Sequence, residues 1–263
     1  MKKHFRTRIQ GESLQRKIRD LEFSYYEIVL MPVYFGILTV FSWLISTGIM
    51  PVNYTFAIVF TIITIFISIQ SYKKYQKNSY TLSKYRMGLE GERYVGEMLN
   101  KISSDTIKVF HDIPGDRFNV DHIIVSTRGV FAIETKHYDR TKGHEFFFDG
   151  NMIERMEKDS RRFRCPKLLP QMEGEARFIH DEIKQRTNLD IPVIKVAILI
   201  GCYIHTPAES DKNKNIKRYF GKYWITNEKL FESMFMDEKE IYDVSVVKLI
   251  STHMNEFVKI EID

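Results

Sequence analysis

Three charged residues stand where the sequence indicates two short strands. Val120 to Val125 and Val130 to Thr135 have the apolar composition of strands, and a polar turn joins them. Because side chains alternate along a strand, Glu134 and Lys136 lie on one face of the second strand. Asp121, near the start of the first strand, can stand beside Glu134 across the ladder. The sequence thus predicts two carboxylates and a lysine at one place.

Carboxylates held close together repel each other unless a cation lies between them. Oxygen ligands of this kind suit Mg²⁺ or Mn²⁺. Such an ion polarises a phosphoryl oxygen and lowers the pKa of water, and an adjacent lysine stabilises developing negative charge, which is the chemistry of phosphodiester hydrolysis. The same residues also fit a plain salt bridge between Glu134 and Lys136 beside an unrelated Asp121. The spacing alone leaves both interpretations open.

A wider pattern resembles a known family. Asp121 followed by Glu134-Thr135-Lys136 is similar to the Asp…Glu-X-Lys signature of the PD-(D/E)XK nuclease superfamily, and the fuller pattern resembles its nuclease-related domain family, NERD. The matching segments are Gly88-Leu89-Glu90-Gly91-Glu92, Val120-Asp121-His122, Thr127-Arg128-Gly129-Val130-Phe131, Ile133-Glu134-Thr135-Lys136 and Gln171. The resemblance covers about residues 85–200, although Cys165-Pro166 stands where many members have Asn-Pro.

The resemblance implies a role for each matching residue. Asp121 and Glu134 would bind the metal, together with the backbone carbonyl of Thr135. Lys136 would stabilise charge or position water. Two further residues lie on flanking helices. Glu92 would orient a ligand or add one, and Gln171 would assist Lys136.

Two helices must bring these last residues to the strands. A helix predicted over 84–102 has an apolar stripe that includes Val95 and Leu99, and Glu92 falls on that stripe. A glutamate there is also explained as a helix-edge residue paired with Arg93 or Lys136. A second helix begins near Pro170, which suits a first turn, and a continuous apolar strand follows it. The order of elements predicts an α/β domain with a restriction-endonuclease-like mixed sheet between helices, over residues 85–263 with C-terminal helices.

The N-terminal third has a different composition. Residues 28–49 contain no charged side chain, and a second uncharged run extends over 54–72. Each is close to the roughly 20 residues that cross a bilayer as a helix. A buried hairpin of a soluble protein is the alternative, but the short connection favours a transmembrane hairpin. A polar linker is predicted over residues 73–84.

Basic residues are concentrated before and after this hairpin. Residues 1–84 hold 11 Lys and Arg against 4 Asp and Glu, a net charge of +7, whereas residues 85–263 have a net charge of −2. The basicity therefore gives no support for a DNA groove in the catalytic domain. Positive flanks on both outer sides predict a multi-pass protein of the cell membrane with both termini and the nuclease domain in the cytoplasm. Residues 1–27 are predicted to be a basic arm that contacts anionic lipid headgroups.

One local basic patch lies in the soluble part. It comprises Arg155, Lys158, Arg161, Arg162 and Arg164. These side chains could contact nucleic-acid phosphates, but a charge run is more usually a solvated surface.

The sequence is best explained as a membrane-anchored, Mg²⁺- or Mn²⁺-dependent nuclease with DNA as the expected partner, and its residues do not separate DNA from RNA. The alternative is a catalytically inactive, membrane-tethered module that uses the same fold to bind nucleic acid or protein. No phosphate-binding Walker loop or serine hydrolase elbow occurs in the sequence. Cys165 and Cys202 have no zinc-ligand spacing.

Overall fold

A computed structural model describes residues 4–48, 54–116, 118–157, 160–205 and 223–262. The chain divides into two compact units. One comprises Met1–Ser13 together with Met87–Asp263, and the other comprises Leu14–Arg86. The N-terminal residues therefore belong to the same unit as the predicted nuclease domain.

The fold combines helices with two sheets and a strand pair. The helices are α1 Glu12–Gly48, α2 Thr55–Lys101, α3 Leu168–Thr187, α4 Phe231–Met236 and α5 Val244–Phe257. The strands are β1 His4–Thr7, β2 Ile107–Pro114, β3 Asn119–Ser126, β4 Gly129–His137, β5 Glu145–Phe148, β6 Ile153–Met156, β7 Arg162–Arg164, β8 Val193–Ile200, β9 Tyr203–His205, β10 Tyr223–Thr226 and β11 Lys259–Ile262.

The central sheet has the strand order β10-β8-β4-β3-β2. Strands β4, β8 and β10 are parallel, whereas β2, β3 and β4 are antiparallel neighbours. The predicted mixed sheet is confirmed. Its middle strand, β4, is buried along most of its length, which is why its sequence is almost continuously apolar up to Ile133.

Helices cover both faces of this sheet. On one face, Ala176 and Ile179 of α3 and Ile250 of α5 pack with Val130 and Ala132 of β4. On the other face, the packing residues are Val95 and Leu99 of α2, Phe231 and Phe235 of α4, and Phe131 and Ile133 of β4. Alternation along β4 therefore continues from Ala132 to Glu134 and Lys136, which both lie on the α3 face.

A second sheet, of order β7-β6-β5-β9, packs beside the central one. Its apolar side, which includes Phe146, Phe148 and Ile204, shares a core with Leu168 and Met172 at the start of α3. This packing fixes the first turns of α3, the helix that carries Gln171.

The unit Leu14–Arg86 contains the two apolar helical stretches. Both α1 and α2 are long and apolar enough to cross a membrane, and only 6% of the most apolar window of each is buried. Hydrogen bonds join the two helices. Thr39 Oγ1 lies 2.7 Å from Thr64 Oγ1, and Trp43 Nε1 donates to Thr61 Oγ1 at 3.0 Å. This exposed apolar surface is of the kind that two helices able to cross a membrane would present.

Three segments differ from the sequence-based prediction. The linker expected at 73–84 lies inside α2, because residues 73–84 contain no glycine or proline to interrupt the helix. The segment from His111 to Phe118, in which Pro114-Gly115 predicts a loop, is a strand as far as Pro114, paired with β3. The described part of the basic arm predicted at 1–27 contains more structure than its sequence indicated, since β1 pairs with β11 and α1 begins at Glu12.

Candidate active site

The site forms where the ladder between β3 and β4 opens. Pairing of these strands ends at His122 and Ile133, so one step further the register places Asp121 opposite Glu134. Instead of continuing the ladder, Asp121 Oδ2 accepts a hydrogen bond from the Thr135 backbone N–H at 2.8 Å. The carbonyl of a strand residue points to the same side as its N–H, so the Thr135 carbonyl faces this opening too.

Lys136 contacts two of the predicted site residues. Its ammonium donates to Glu134 Oε1 and lies 3.4 Å from Gln171 Oε1. Gln171 is in the first turn of α3, which reaches over this end of β4. The structure therefore brings Asp121, Glu134, Lys136 and Gln171 together.

Sequence reasoning missed Glu175, one helical turn after Gln171. Its side chain is almost fully buried, and Glu175 Oε1 accepts a hydrogen bond from Gln171 Nε2 at 2.8 Å. This bond fixes the Gln171 amide so that its oxygen faces Lys136. The signal in the sequence was a glutamate at i+4 from Gln171, between apolar residues of α3.

Glu92 approaches from the helix on the other side of the sheet. It is partly buried in α2, and its charge acts on Asp121. Gly91 allows this approach, because an added Cβ would lie 2.7 Å from His137 Cβ at the end of β4. Any larger residue would therefore push the helix away from β4.

The carboxylates perturb one another. Burial, and then the charges of Glu134 and Glu92, raise the pKa of Asp121 well above its usual range, although the Thr135 N–H opposes this. Burial and the charge of Glu134 raise the pKa of Glu175 to about 9. Burial lowers the pKa of Lys136, but the charge and hydrogen bond of Glu134 outweigh it, so this pKa is raised overall. The cluster therefore holds more acidic groups than its one lysine compensates.

The candidate site offers oxygen atoms, which are the type of ligand that hard divalent cations bind. Glu134 Oε2 is buried and accepts no hydrogen bond from an N–H or hydroxyl group of the described chain. The Glu175 carboxyl, which hydrogen-bonds to Glu134, does not compensate the charge of that carboxylate. Carboxylates of Asp121 and Glu134 with the Thr135 carbonyl supply the oxygen ligands that Mg²⁺ and Mn²⁺ prefer. In the described ranges, however, no three His, Cys, Asp or Glu side chains already stand in metal-binding geometry.

The described residues of the predicted basic patch lie in or beside β6 and β7. Each of its described arginines has an acidic partner. These pairs are Arg155 with Glu157 at 2.9 Å, Arg161 with Glu157 at 3.8 Å, Arg162 with Glu154 at 3.7 Å and Arg164 with Glu154 at 4.0 Å. Lys158 lies outside the described residues. Phosphate contact by this patch stays a prediction.

Comparison with known proteins identifies the domain. Residues 87–200 match the family described as nuclease-related domain, NERD. An uncharacterized protein of Bacillus anthracis is 37% identical over 57 residues, which is 20% of this chain and 27% of that protein's length. This chain thus spans about a quarter of the relative it matches. No solved structure matches significantly.

Proposed function

We propose that this chain, whose residues 87–200 form a nuclease-related domain, is a membrane-anchored nuclease that hydrolyses phosphodiester bonds of DNA at the cytoplasmic face. The observation that carries the proposal is the group of partly buried Asp121 and buried Glu134 and Glu175 around Lys136, in which one oxygen of Glu134 accepts no hydrogen bond from an N–H or hydroxyl group of the described chain. Such a cluster is costly to the fold, so a bound cation that compensates its charge is the simplest reason for it.

Asp121, Glu134 and the Thr135 carbonyl would hold Mg²⁺ or Mn²⁺. When bound, the ion supplies polarisation of the phosphoryl group and a more acidic water. In the hydrolysis, a water oxygen bonds to phosphorus, the bond from phosphorus to a sugar oxygen breaks, and that oxygen takes up a proton. The Asp121 carboxylate is fixed for ligation by the Thr135 N–H at 2.8 Å.

Lys136 is the group that would stabilise the charge of the reacting phosphate. Its ammonium is anchored by Glu134 and faces Gln171, whose amide is in turn fixed by Glu175. A preorganised cation of this kind typically lowers a barrier by about 3 kcal/mol. Glu92 would orient a ligand or add one.

The membrane anchor is proposed from α1 and α2. Their apolar side chains are exposed along the hairpin, and water would solvate such a surface poorly. The basic residues that flank the pair favour cytoplasmic placement of the nuclease domain.

The test is cleavage by the full-length protein in detergent. Labelled linear, circular and single-stranded DNA, and single-stranded RNA, are incubated with and without Mg²⁺ or Mn²⁺. Asp121→Ala and Lys136→Ala are compared with the exposed controls Asp105→Ala and Lys142→Ala. We expect metal-dependent cutting of DNA that only the first two substitutions abolish.

Two other results would contradict this proposal. If the wild type binds nucleic acid without cutting it, the chain is the inactive tethered module. If it binds neither metal nor nucleic acid, Glu134 and Lys136 form a salt bridge and nothing more.

A further inference from the structure

The N-terminal strap, residues 4–13, precedes the apolar hairpin in sequence but folds with the nuclease-related domain. Its strand β1 pairs antiparallel with β11 at the other end of the chain. The Arg8 backbone N–H then donates to the Val258 carbonyl at 3.3 Å. The strap is thus bound to the domain by backbone hydrogen bonds along its first half.

Its second half is anchored on Asp112. Arg8 Nη1 and the Ser13 backbone N–H each lie 3.1 Å from Asp112 Oδ2, and Asn119 Nδ2 donates to Oδ1 at 3.0 Å. The Asp112 side chain is only 2% exposed, so these partners, and not water, stabilise the carboxylate.

Asp112 occupies a special position in the sheet. Its φ is +50°, which non-glycine residues rarely adopt. The register of β2 and β3 pairs His111 with His122 and Ile113 with Val120, so Asp112 stands across from the candidate ligand Asp121. The strap therefore holds the distorted residue directly opposite Asp121.

The strap also reaches Glu92. Gly11 has φ +68°, and a Cβ added there would lie 2.3 Å from Leu89 Cδ1 and 3.3 Å from Glu92 Oε2. One turn further along α2, a Cβ on Gly96 would lie 2.8 Å from Gln10 Cβ. The backbone of the strap is therefore in close contact with the helix face that carries Glu92.

We infer that the strap is a positioning element of the nuclease site, in which Arg8 and Gly11 set the places of Asp121 and Glu92 through Asp112 and Leu89. The inference rests on the proposed function for its catalytic consequence. It adds that the segment before the hairpin is required for a competent site, so the site is complete only when the two ends of the chain meet.

The test uses the full-length protein in detergent. Gly11→Ala puts a methyl group against Leu89 and Glu92, and Gly174→Ala, where an added Cβ meets nothing within 4 Å, is its control. Arg8→Ala is compared with Arg8→Lys and with the exposed Arg19→Ala. Cleavage rate, the Mg²⁺ concentration for half-maximal rate, and hydrogen exchange of residues 87–101 and 107–114 are measured.

We expect Gly11→Ala and Arg8→Ala to slow cleavage at least tenfold and to raise the required Mg²⁺ concentration. Arg8→Ala should also increase exchange in both segments. Leu89→Ala added to Gly11→Ala should recover part of the rate, because it removes the contacting methyl but leaves the backbone strain at φ +68°. Arg8→Lys should retain more of the rate than Arg8→Ala. Both controls should match the wild type.

Cleavage rates and hydrogen exchange equal to those of the controls would overturn the inference without contradicting the proposed nuclease function. If the wild type cuts no nucleic acid, the proposed function fails, and exchange alone decides on the strap. In that case, unchanged protection of residues 107–114 in Arg8→Ala would refute the anchoring on Asp112.

Discussion

A pair of buried histidines lies behind the candidate site, on the α2 face of the sheet. His111 Nε2 lies 3.0 Å from Asn100 Oδ1, and His111 Nδ1 lies 2.9 Å from His122 Nδ1. Burial lowers the pKa of both rings, so each neutral ring carries one N–H: His111 Nε2 donates to Asn100 Oδ1, and His122 Nδ1 donates to His111 Nδ1. Burial lowers the pKa of His111 to about 4. These rings support the sheet from the face opposite the carboxylates.

Stability should therefore fall in acid. Between pH 6.5 and about 4 the unfolded chain binds a proton at His111 that the folded chain does not, so the free energy of unfolding decreases as pH falls through that window. The expected slope is up to about 1.4 kcal/mol per pH unit for this group. Urea unfolding across pH should show a shallower acid slope in His111→Asn than in the partly exposed control His253→Asn. Equal slopes would contradict the account.

When no metal is bound, the titration of Glu175 should make stability depend on pH in the opposite direction. Its pKa is raised to about 9, so the folded chain binds the extra proton, and stability decreases as pH rises from about 4.5 towards 9. Glu175→Gln should stabilise the protein in chelator at pH 8 by about 2 kcal/mol, because it removes a buried acid without changing its shape. Urea unfolding with the exposed Glu256→Gln as control measures this. A destabilised Glu175→Gln at pH 8 would refute it.

At the scale of helices and strands, the packing around the candidate site holds its residues in place. Helix α3 supplies Gln171 and Glu175, and β4 supplies Glu134 and Lys136, while the strap acts on α2 and β2. Deleting the strap would leave the buried Asp112 without Arg8, a loss that typically costs about 3–5 kcal/mol. A fragment that begins near residue 80 lacks the strap and should therefore be less stable than the whole chain.

A hydrogen bond between side chains joins the two helices of the apolar hairpin. Thr39 Oγ1 contacts Thr64 Oγ1 at 2.7 Å and lies 3.2 Å from the Phe60 carbonyl of the other helix. Thr39→Val should weaken the association of the helices by about 1 kcal/mol. The midpoint of unfolding in sodium dodecyl sulfate, followed by the fluorescence of Trp43 in a Trp224→Phe background, should fall.

Thr47→Val is the matched control, because among the described residues the Thr47 hydroxyl donates to carbonyls of its own helix. A Thr39→Val midpoint equal to that of Thr47→Val would contradict the role of this contact.

At the scale of the whole molecule, the pairing of β1 with β11 would constrain the topology of the proposed membrane anchor. β1 precedes both apolar helices and β11 follows them, so the two ends can pair only on the same side of a membrane. Tags at both termini should resist protease added to intact cells, whereas a tag inserted within residues 50–53 should be cleaved. Accessibility of one terminus alone would contradict the pairing.

Sequence patterns predicted those elements of the nuclease-related domain that have strong local signals. The strand pair of Asp121 and Glu134, the helix of Gln171 and the mixed sheet were predicted because alternation and apolar runs are local properties. Glu175 was missed because its role depends on burial against β4. The strap was missed because β1 and β11 pair across almost the whole chain, and no local pattern in His4–Thr7 indicates its partner.

Binding of Mn²⁺ by the full-length protein tests the central claim most directly. Calorimetry in detergent compares the wild type with Glu134→Gln and with the exposed Glu97→Gln. We predict saturable binding and a raised melting temperature in the wild type and Glu97→Gln, both lost in Glu134→Gln, because the unsatisfied Glu134 oxygen is a proposed ligand. Equal binding by all three proteins, or none by the wild type, would contradict a metal site at this carboxylate cluster.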